Sequence, residues 1–154
     1  MTALIRTVNS AVFPADPDRI FELAADIERW PEILPHYRYV RVLDESPLGR
    51  EIAMGASRSG IPVRWTAIQD VRPETREIAY RHTGGVTRGM EVVWRIDPVE
   101  RGTAVSIVHS LVPTRWWLRP ALSRYVVGRL FVSHIAERTM REIGERAARE
   151  RLLV

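Results

Sequence analysis

From Tyr37 to Val112 the chain alternates apolar and polar residues in segments of about eight to twelve, separated by turn-forming clusters at 46–49, 59–62, 72–75, 83–86 and 98–102. Alternation with a period of two marks a strand with one buried face, and clusters of Gly, Pro, Ser and Asp mark where the chain reverses. The pattern predicts six consecutive strands. Connections this short cannot make the crossover that parallel neighbours need, so the six are expected to form an antiparallel meander. Residues 4–13 alternate in the same way and read as one earlier strand, with Leu4, Val8 and Val12 on one face and Ile5, Ala11 and Phe13 on the other.

Two segments follow a helical period instead. Asp16 and Pro17 make an N-cap and a first-turn proline, and Ile20, Leu23, Ala24 and Ile27 give a stripe at i, i+3, i+4 and i+7. This helix should stop near Arg29, because Trp30 precedes Pro31 and the residue before a proline avoids helical backbone angles. Residues 32–34 leave room for one more turn at most. The last helix is predicted over 120–150, on the order of 45 Å long. Its second half carries a narrow stripe, Val132, Ala136, Met140, Ile143 and Ala147, with Arg141, Glu142, Glu145 and Arg146 around it. In its first half Tyr125, Val126, Val127, Leu130, Phe131 and Ile135 go most of the way round, so that half needs cover on more than one side.

The order is one strand, two short helices, six strands and one long helix, an α+β chain. A seven-stranded sheet with one apolar face must be covered, and the terminal helix is the element long enough to do it. A sheet bent around that helix, with the short helices plugging one end, encloses a cavity. With 154 residues and 45% hydrophobic content, a single domain over 1–154 is expected.

Composition narrows the chemistry. Cysteine is absent, and all 23 basic residues are arginine, which removes disulfides, thiolate catalysis, Schiff-base lysines and phosphate-loop motifs. No apolar run approaches the ~18 residues of a membrane span, and Arg6 interrupts the start of the chain before a signal-peptide core, so a soluble, cytoplasmic protein is expected. The net charge of +4 is concentrated after residue 114, where 9 Arg face 4 Glu. Those arginines alternate with glutamates, which suits a solvated helix face and not a nucleic-acid-binding stripe. His134 and Glu137 are three apart on the helix, but no second pair accompanies them, so neither a metal nor another cofactor is expected.

Strand alternation puts Val63, Trp65, Ala67, Gln69 and Val71 on one face of their strand. The same count groups Ile78, Tyr80 and His82; Met90, Val92, Trp94 and Ile96; and Val105, Ile107, His109 and Leu111. With these faces inward, Tyr37, Gln69, Tyr80, His82 and His109 are the polar groups of an apolar pocket, and Trp30, Met54, Trp65, Trp94, Val126 and Leu130 its apolar contacts. Each also reads as plain core: an interior histidine is often satisfied by one hydrogen bond, and Trp30 suits a helix-end plug. Proton transfer is the chemistry this set can carry. A histidine with pKa near 6.5 serves as acid or base and a tyrosine near 10 as donor, which nominates His82, His109 and Tyr37 as catalytic. Arg115-Trp116-Trp117-Leu118-Arg119 precedes the long helix. Tryptophans between arginines suit a peripheral membrane contact through Trp116 and Trp117, a homodimer contact, or packing on the helix start.

The stretch Asp26-Ile27-Glu28-Arg29-Trp30-Pro31-Glu32-Ile33-Leu34-Pro35-His36-Tyr37, with the strand after it, resembles the opening of the polyketide cyclase/dehydrase family in the Bet v 1-like, or START-like, superfamily. The resemblance implies a helix-grip fold over essentially the whole chain and an interior pocket for a hydrophobic small molecule: a polyketide, a lipid or a quinone. It puts Trp30 and Tyr37 at the pocket rim and Trp65 at the position of a pocket tryptophan. Aromatase/cyclase members carry an arginine where this chain has Gln69, which donates hydrogen bonds but brings no charge. Two functions stay open: cyclisation and dehydration of a polyketide by general acid/base transfer, and non-catalytic carriage of a lipid or quinone, as in the coenzyme Q-binding START-like proteins. An interaction protein resembling the ribosome-associated toxin of the superfamily is a third possibility.

Overall fold

The computed structural model describes the backbone of residues 5–85, 87–111 and 119–153 and the side chains of residues 6–85, 87–110 and 133–153. The chain forms β1 (Ile5–Phe13), α1 (Pro17–Ala25), a 3₁₀ turn (Ile27–Arg29), α2 (Trp30–Ile33), six further strands, and α3 (Arg119–Leu152). The strands are β2 (Tyr37–Ser46), β3 (Gly49–Arg58), β4 (Ile61–Arg72), β5 (Glu77–Gly85), β6 (Glu91–Val99) and β7 (Gly102–Leu111). All lie in one curved antiparallel sheet in the order β1-β7-β6-β5-β4-β3-β2. The meander is as the turn spacing predicts, and β1 closes it by pairing with β7 from Ile5↔Leu111 to Phe13↔Thr103.

Register decides which side chains meet. Across the middle of the sheet Arg50 stands opposite Gln69, Gln69 opposite Tyr80, Tyr80 opposite Val92, and Val92 opposite His109. Because facing residues on neighbouring strands point to the same side, these five share the concave face. Val8 and Val12 stand on the outer face of β1 and are exposed, whereas Phe13 is buried. Inward Asn9 donates its side-chain amide to the Ser133 carbonyl at 3.3 Å and to the Ser133 hydroxyl at 3.1 Å, joining β1 to α3.

Three local details depart from the sequence reading. Trp30 precedes Pro31 yet adopts helical angles, φ −55° and ψ −40°, as the first residue of α2. Its indole N–H donates to the Leu23 carbonyl at 2.9 Å from a buried position. That bond and the burial outweigh the local preference against helix before proline. Residues 83–85, expected in a turn, continue β5, and the reversal comes at 87–89. Glycine makes this possible: a Cβ at Gly84 would stand 2.6 Å from the Thr66 hydroxyl, and one at Gly85 2.8 Å from the Arg64 carbonyl. The expected turn at 98–102 contracts, with Pro98 and Val99 at the end of β6.

The core lies between the concave face and the helices. Ile20, Leu23 and Ala24 of α1, Ile27 of the 3₁₀ turn and Leu34 close one end. From α3 come Ile135, Ala136, Met140, Ile143 and Ala147, all buried. Four of these belong to the predicted stripe. Val132 lies outside the residues whose side chains are described, and Thr139, fully buried beside the stripe, was no part of that pattern. Its hydroxyl is satisfied within the helix by the Ile135 carbonyl at 2.7 Å, which lets a polar residue occupy the apolar face.

Candidate functional site

Between sheet and α3 lies a hollow of about 40 Å³ lined by Trp30, Tyr37, Met54, Trp65, Tyr80, His82, Val92, Trp94, His109, Ile135 and Ala136. A water needs on the order of 10–15 Å³, so the space is that of about three waters, while drug-sized ligands occupy sites of roughly 300–1,000 Å³. Its wall is built of aromatic rings. The Trp30 ring is 5.0 Å from Tyr37 and 6.2 Å from Trp94, Tyr37 is 6.4 Å from Trp65, and Trp65 stacks on His82 at 6.0 Å with only 10° between the planes.

The sequence-nominated residues converge here with few exceptions. Tyr37, His82 and His109, the proposed catalytic set, all line the hollow, as do Trp30, Met54, Trp65, Tyr80 and Trp94. Gln69 does not. It is buried one strand position away, at the junction of β3, β4 and the end of α1. Val126 and Leu130, and Trp116 and Trp117 of the proposed membrane or dimer contact, lie outside the residues whose side chains are described. Val92, Ile135 and Ala136 complete the lining. Val92 could be read from the β6 alternation; Ile135 and Ala136 belonged to the helix pattern, which gave no sign of what they would face.

The polar groups are heavily desolvated. Burial, reinforced by the nearby His109, pushes His82 down to about 3, so it is neutral at ordinary pH. His82 Nδ1 stands 2.6 Å from the Thr87 hydroxyl, a partner supplied by the β5–β6 turn. Burial raises both tyrosines, opposed at Tyr37 by its hydrogen bond with Thr139 and at Tyr80 by that with Gln69, so both stay protonated. Behind Tyr37 sits His36, 3% exposed, its Nε2 2.8 Å from the Thr139 hydroxyl. Nothing in a periodicity marks His36 or Thr139, since their partnership spans 103 positions.

His134 is exposed on α3, and among the described residues no group of three or more His, Cys, Asp or Glu could hold a metal ion. A larger open groove of about 520 Å³ runs along α1 past Arg19, Phe21, Arg29, Ile33 and Arg50. All three of its guanidiniums are already engaged, Arg19 with Glu150 and Glu22, Arg29 with Glu32, and Arg50 with Glu28 and Gln69. The hollow, with its convergent polar groups, is the better site. No helix among the described residues is long and apolar enough to cross a membrane.

Comparison with known proteins agrees with this architecture. The profile of the family described as polyketide cyclase / dehydrase and lipid transport matches residues 13–148. The chain belongs to that family. The actinorhodin polyketide synthase bifunctional cyclase/dehydratase of Streptomyces coelicolor is 26% identical over 107 residues, 68% of this chain. The match spans 34% of that relative, about a third of its length. The Zhui aromatase/cyclase of a Streptomyces species shares 20% identity with a TM-score of 0.67, covering 94% of this chain and 96% of that one. A START superfamily protein from Mycobacterium smegmatis, 15% identical, superposes with a TM-score of 0.66 over 95% of this chain and 97% of its own. At such identities the structures speak for the shared helix-grip fold.

Proposed function

We propose that the protein binds a small, predominantly apolar molecule in the hollow between its sheet and α3. One observation carries this reading: indoles, phenols and imidazoles from five strands and one helix converge on one hollow that they do not fill. A guest larger than a few atoms enters as lining side chains rotate, with Met54, the unbranched one, the most adaptable. The chemistry of the wall favours an aromatic or conjugated guest with few polar atoms. Polyketides, quinones and unsaturated lipids fall in that class.

Binding without reaction is the form the electrostatics support best. His82, held neutral well below ordinary pH and engaged with Thr87, does not serve as an imidazolium acid. The second reading is turnover, a cyclisation or dehydration driven by proton transfer. Its specific support is that His82, His109 and Tyr37 face the same space. In that case His82→Gln combined with His109→Gln abolishes turnover of a poly-β-ketone while keeping its binding within about tenfold.

The test is native mass spectrometry of the purified protein with solvent extraction of its cargo. A fused-ring polyketide found with its open-chain precursor favours turnover, and an isoprenoid quinone or fatty acid favours carriage. A protein that carries nothing, and takes up no member of these classes, contradicts the proposal.

A further inference from the structure

The orientation of the Gln69 amide is dictated by its neighbours. Arg50 has only donors, so the amide oxygen must face it, accepting from Nε at 3.2 Å and from Nη2 at 2.7 Å. The amide nitrogen therefore faces the other way. There it donates to the Ala25 carbonyl at 3.3 Å, which can only accept, and to the Tyr80 hydroxyl oxygen at 3.1 Å. Tyr80 is thus an acceptor toward Gln69, and its own proton is left over. Among the described residues no acceptor for that proton is present, although Tyr80 is 7% exposed and lines the hollow.

Tyr37 is the contrasting case. The single proton of the Thr139 hydroxyl goes to the Ile135 carbonyl at 2.7 Å, so Thr139 can accept from the Tyr37 hydroxyl 3.3 Å away. The proton of Tyr37 is used within the protein. That of Tyr80 meets no acceptor among the described residues.

We infer that Tyr80 is the hydrogen-bond donor of the hollow, presenting its proton to a carbonyl oxygen of the bound molecule, with Gln69 and Arg50 as positioning residues that fix this polarity. The inference rests on the hollow being a binding site. A chain of bonds runs from the Arg50 cation through the amide to the phenol, each polarising the next, and makes Tyr80 a better donor than a lone tyrosine. The ligand class narrows accordingly, from apolar molecules in general to ketones and quinones. A hydrocarbon would leave the phenol proton buried and unpaired.

Acetophenone and ethylbenzene, nearly equal in shape, make the test, each titrated into ¹⁵N-labelled protein and followed through the tryptophan indole N–H signals. Tyr80→Phe should weaken acetophenone about tenfold and leave ethylbenzene within about twofold. Gln69→Glu retains size and a partner for Arg50, but it replaces the amide donor by an acceptor that captures the Tyr80 proton. It should weaken acetophenone as much as Tyr80→Phe does, again sparing ethylbenzene. A Gln69 that serves only the fold would leave the preference between the two probes unmoved. Should Gln69→Glu not fold, Arg50→Gln, which keeps a donor to Gln69 and removes the charge, is expected to weaken acetophenone about threefold. Acetophenone binding that survives Tyr80→Phe unchanged overturns the inference while leaving the hollow a binding site. A wild-type protein that binds neither probe overturns both.

Discussion

Nδ1 of His36 stands 3.5 Å from Oε2 of Glu142, and both atoms are buried without a hydrogen-bond partner among the described residues. The other ring nitrogen faces the Thr139 hydroxyl at 2.8 Å, whose proton is committed to the Ile135 carbonyl, so Nε2 is the protonated nitrogen of the neutral ring. Two bare acceptors therefore confront each other between β2 and α3. Burial pushes His36 down to about 4, with Arg138 acting in the same direction and Glu142 against it. Burial is the largest of these effects, so the ring is neutral at pH 7.

This has a signed consequence for stability. Between pH 6.5 and 4 the unfolded chain protonates His36 and the folded one does not, so the contribution of His36 is intact above pH 6.5 and lost as pH falls toward 4. The loss is about 3 kcal/mol from His36, with His82 acting in the same direction and reaching to lower pH. Urea unfolding at pH 7, 5.5 and 4.5 should show a midpoint falling with pH, and a shallower fall in His36→Gln. Equal slopes for the two proteins would contradict the assignment.

The same contact predicts a stabilising substitution. Glu142→Gln can keep its oxygen toward Arg138 Nε, now 3.1 Å from Oε1, and turn an N–H toward His36 Nδ1. At pH 7 it should gain about 1 kcal/mol in urea unfolding. A loss of stability there would mean that the carboxylate is needed.

Much of the fold was legible because it rests on short-range patterns. Turn clusters and alternation marked seven strands and grouped the residues of each face, Asp16–Pro17 marked the first helix, and the unbroken terminal stretch marked the long last one. What the pattern could not supply is whatever depends on partners far apart in sequence. Gln69 was placed on the correct face, yet it serves as a junction beside the hollow, because Arg50 and Ala25 capture its amide. Trp30 defied its local backbone preference because Leu23 offers its indole a carbonyl. His36 and Thr139 gave no periodic signal at all. Nor could alternation say how far the aromatic wall leaves the hollow unfilled, since that is a matter of ring orientation.

Gly144 lies in the interior of α3, where alanine is ordinarily better by about 1 kcal/mol. Here a Cβ would overlap the ring of Phe13, itself buried at the end of β1. Gly144→Ala should therefore destabilise by about 1–3 kcal/mol, and a second change, Phe13→Leu, should recover part of the loss. Thermal unfolding of the two variants decides it, and a stabilised Gly144→Ala would contradict the contact.

Thr87 should matter beyond its place in a turn. Thr87→Val keeps the shape but removes the hydroxyl 2.6 Å from His82 Nδ1, leaving a buried nitrogen unpaired at a cost of about 1–3 kcal/mol. Thr87→Ser retains the bond and should fall within about 0.5 kcal/mol of wild type. Equal losses for both would locate the effect in the methyl group.

Binding in the hollow, as proposed, needs the space beside Ala136 to stay open for a guest. Ala136→Phe pushes a ring into that space from α3 and leaves every residue of the sheet unsubstituted. Native mass spectra of wild type and Ala136→Phe, prepared side by side and exposed to the same extracted cargo, measure this most directly. Wild type should carry an adduct of small-molecule mass, and Ala136→Phe should run as the bare polypeptide. Equal occupancy in the two proteins, or a bare mass in both, would contradict it.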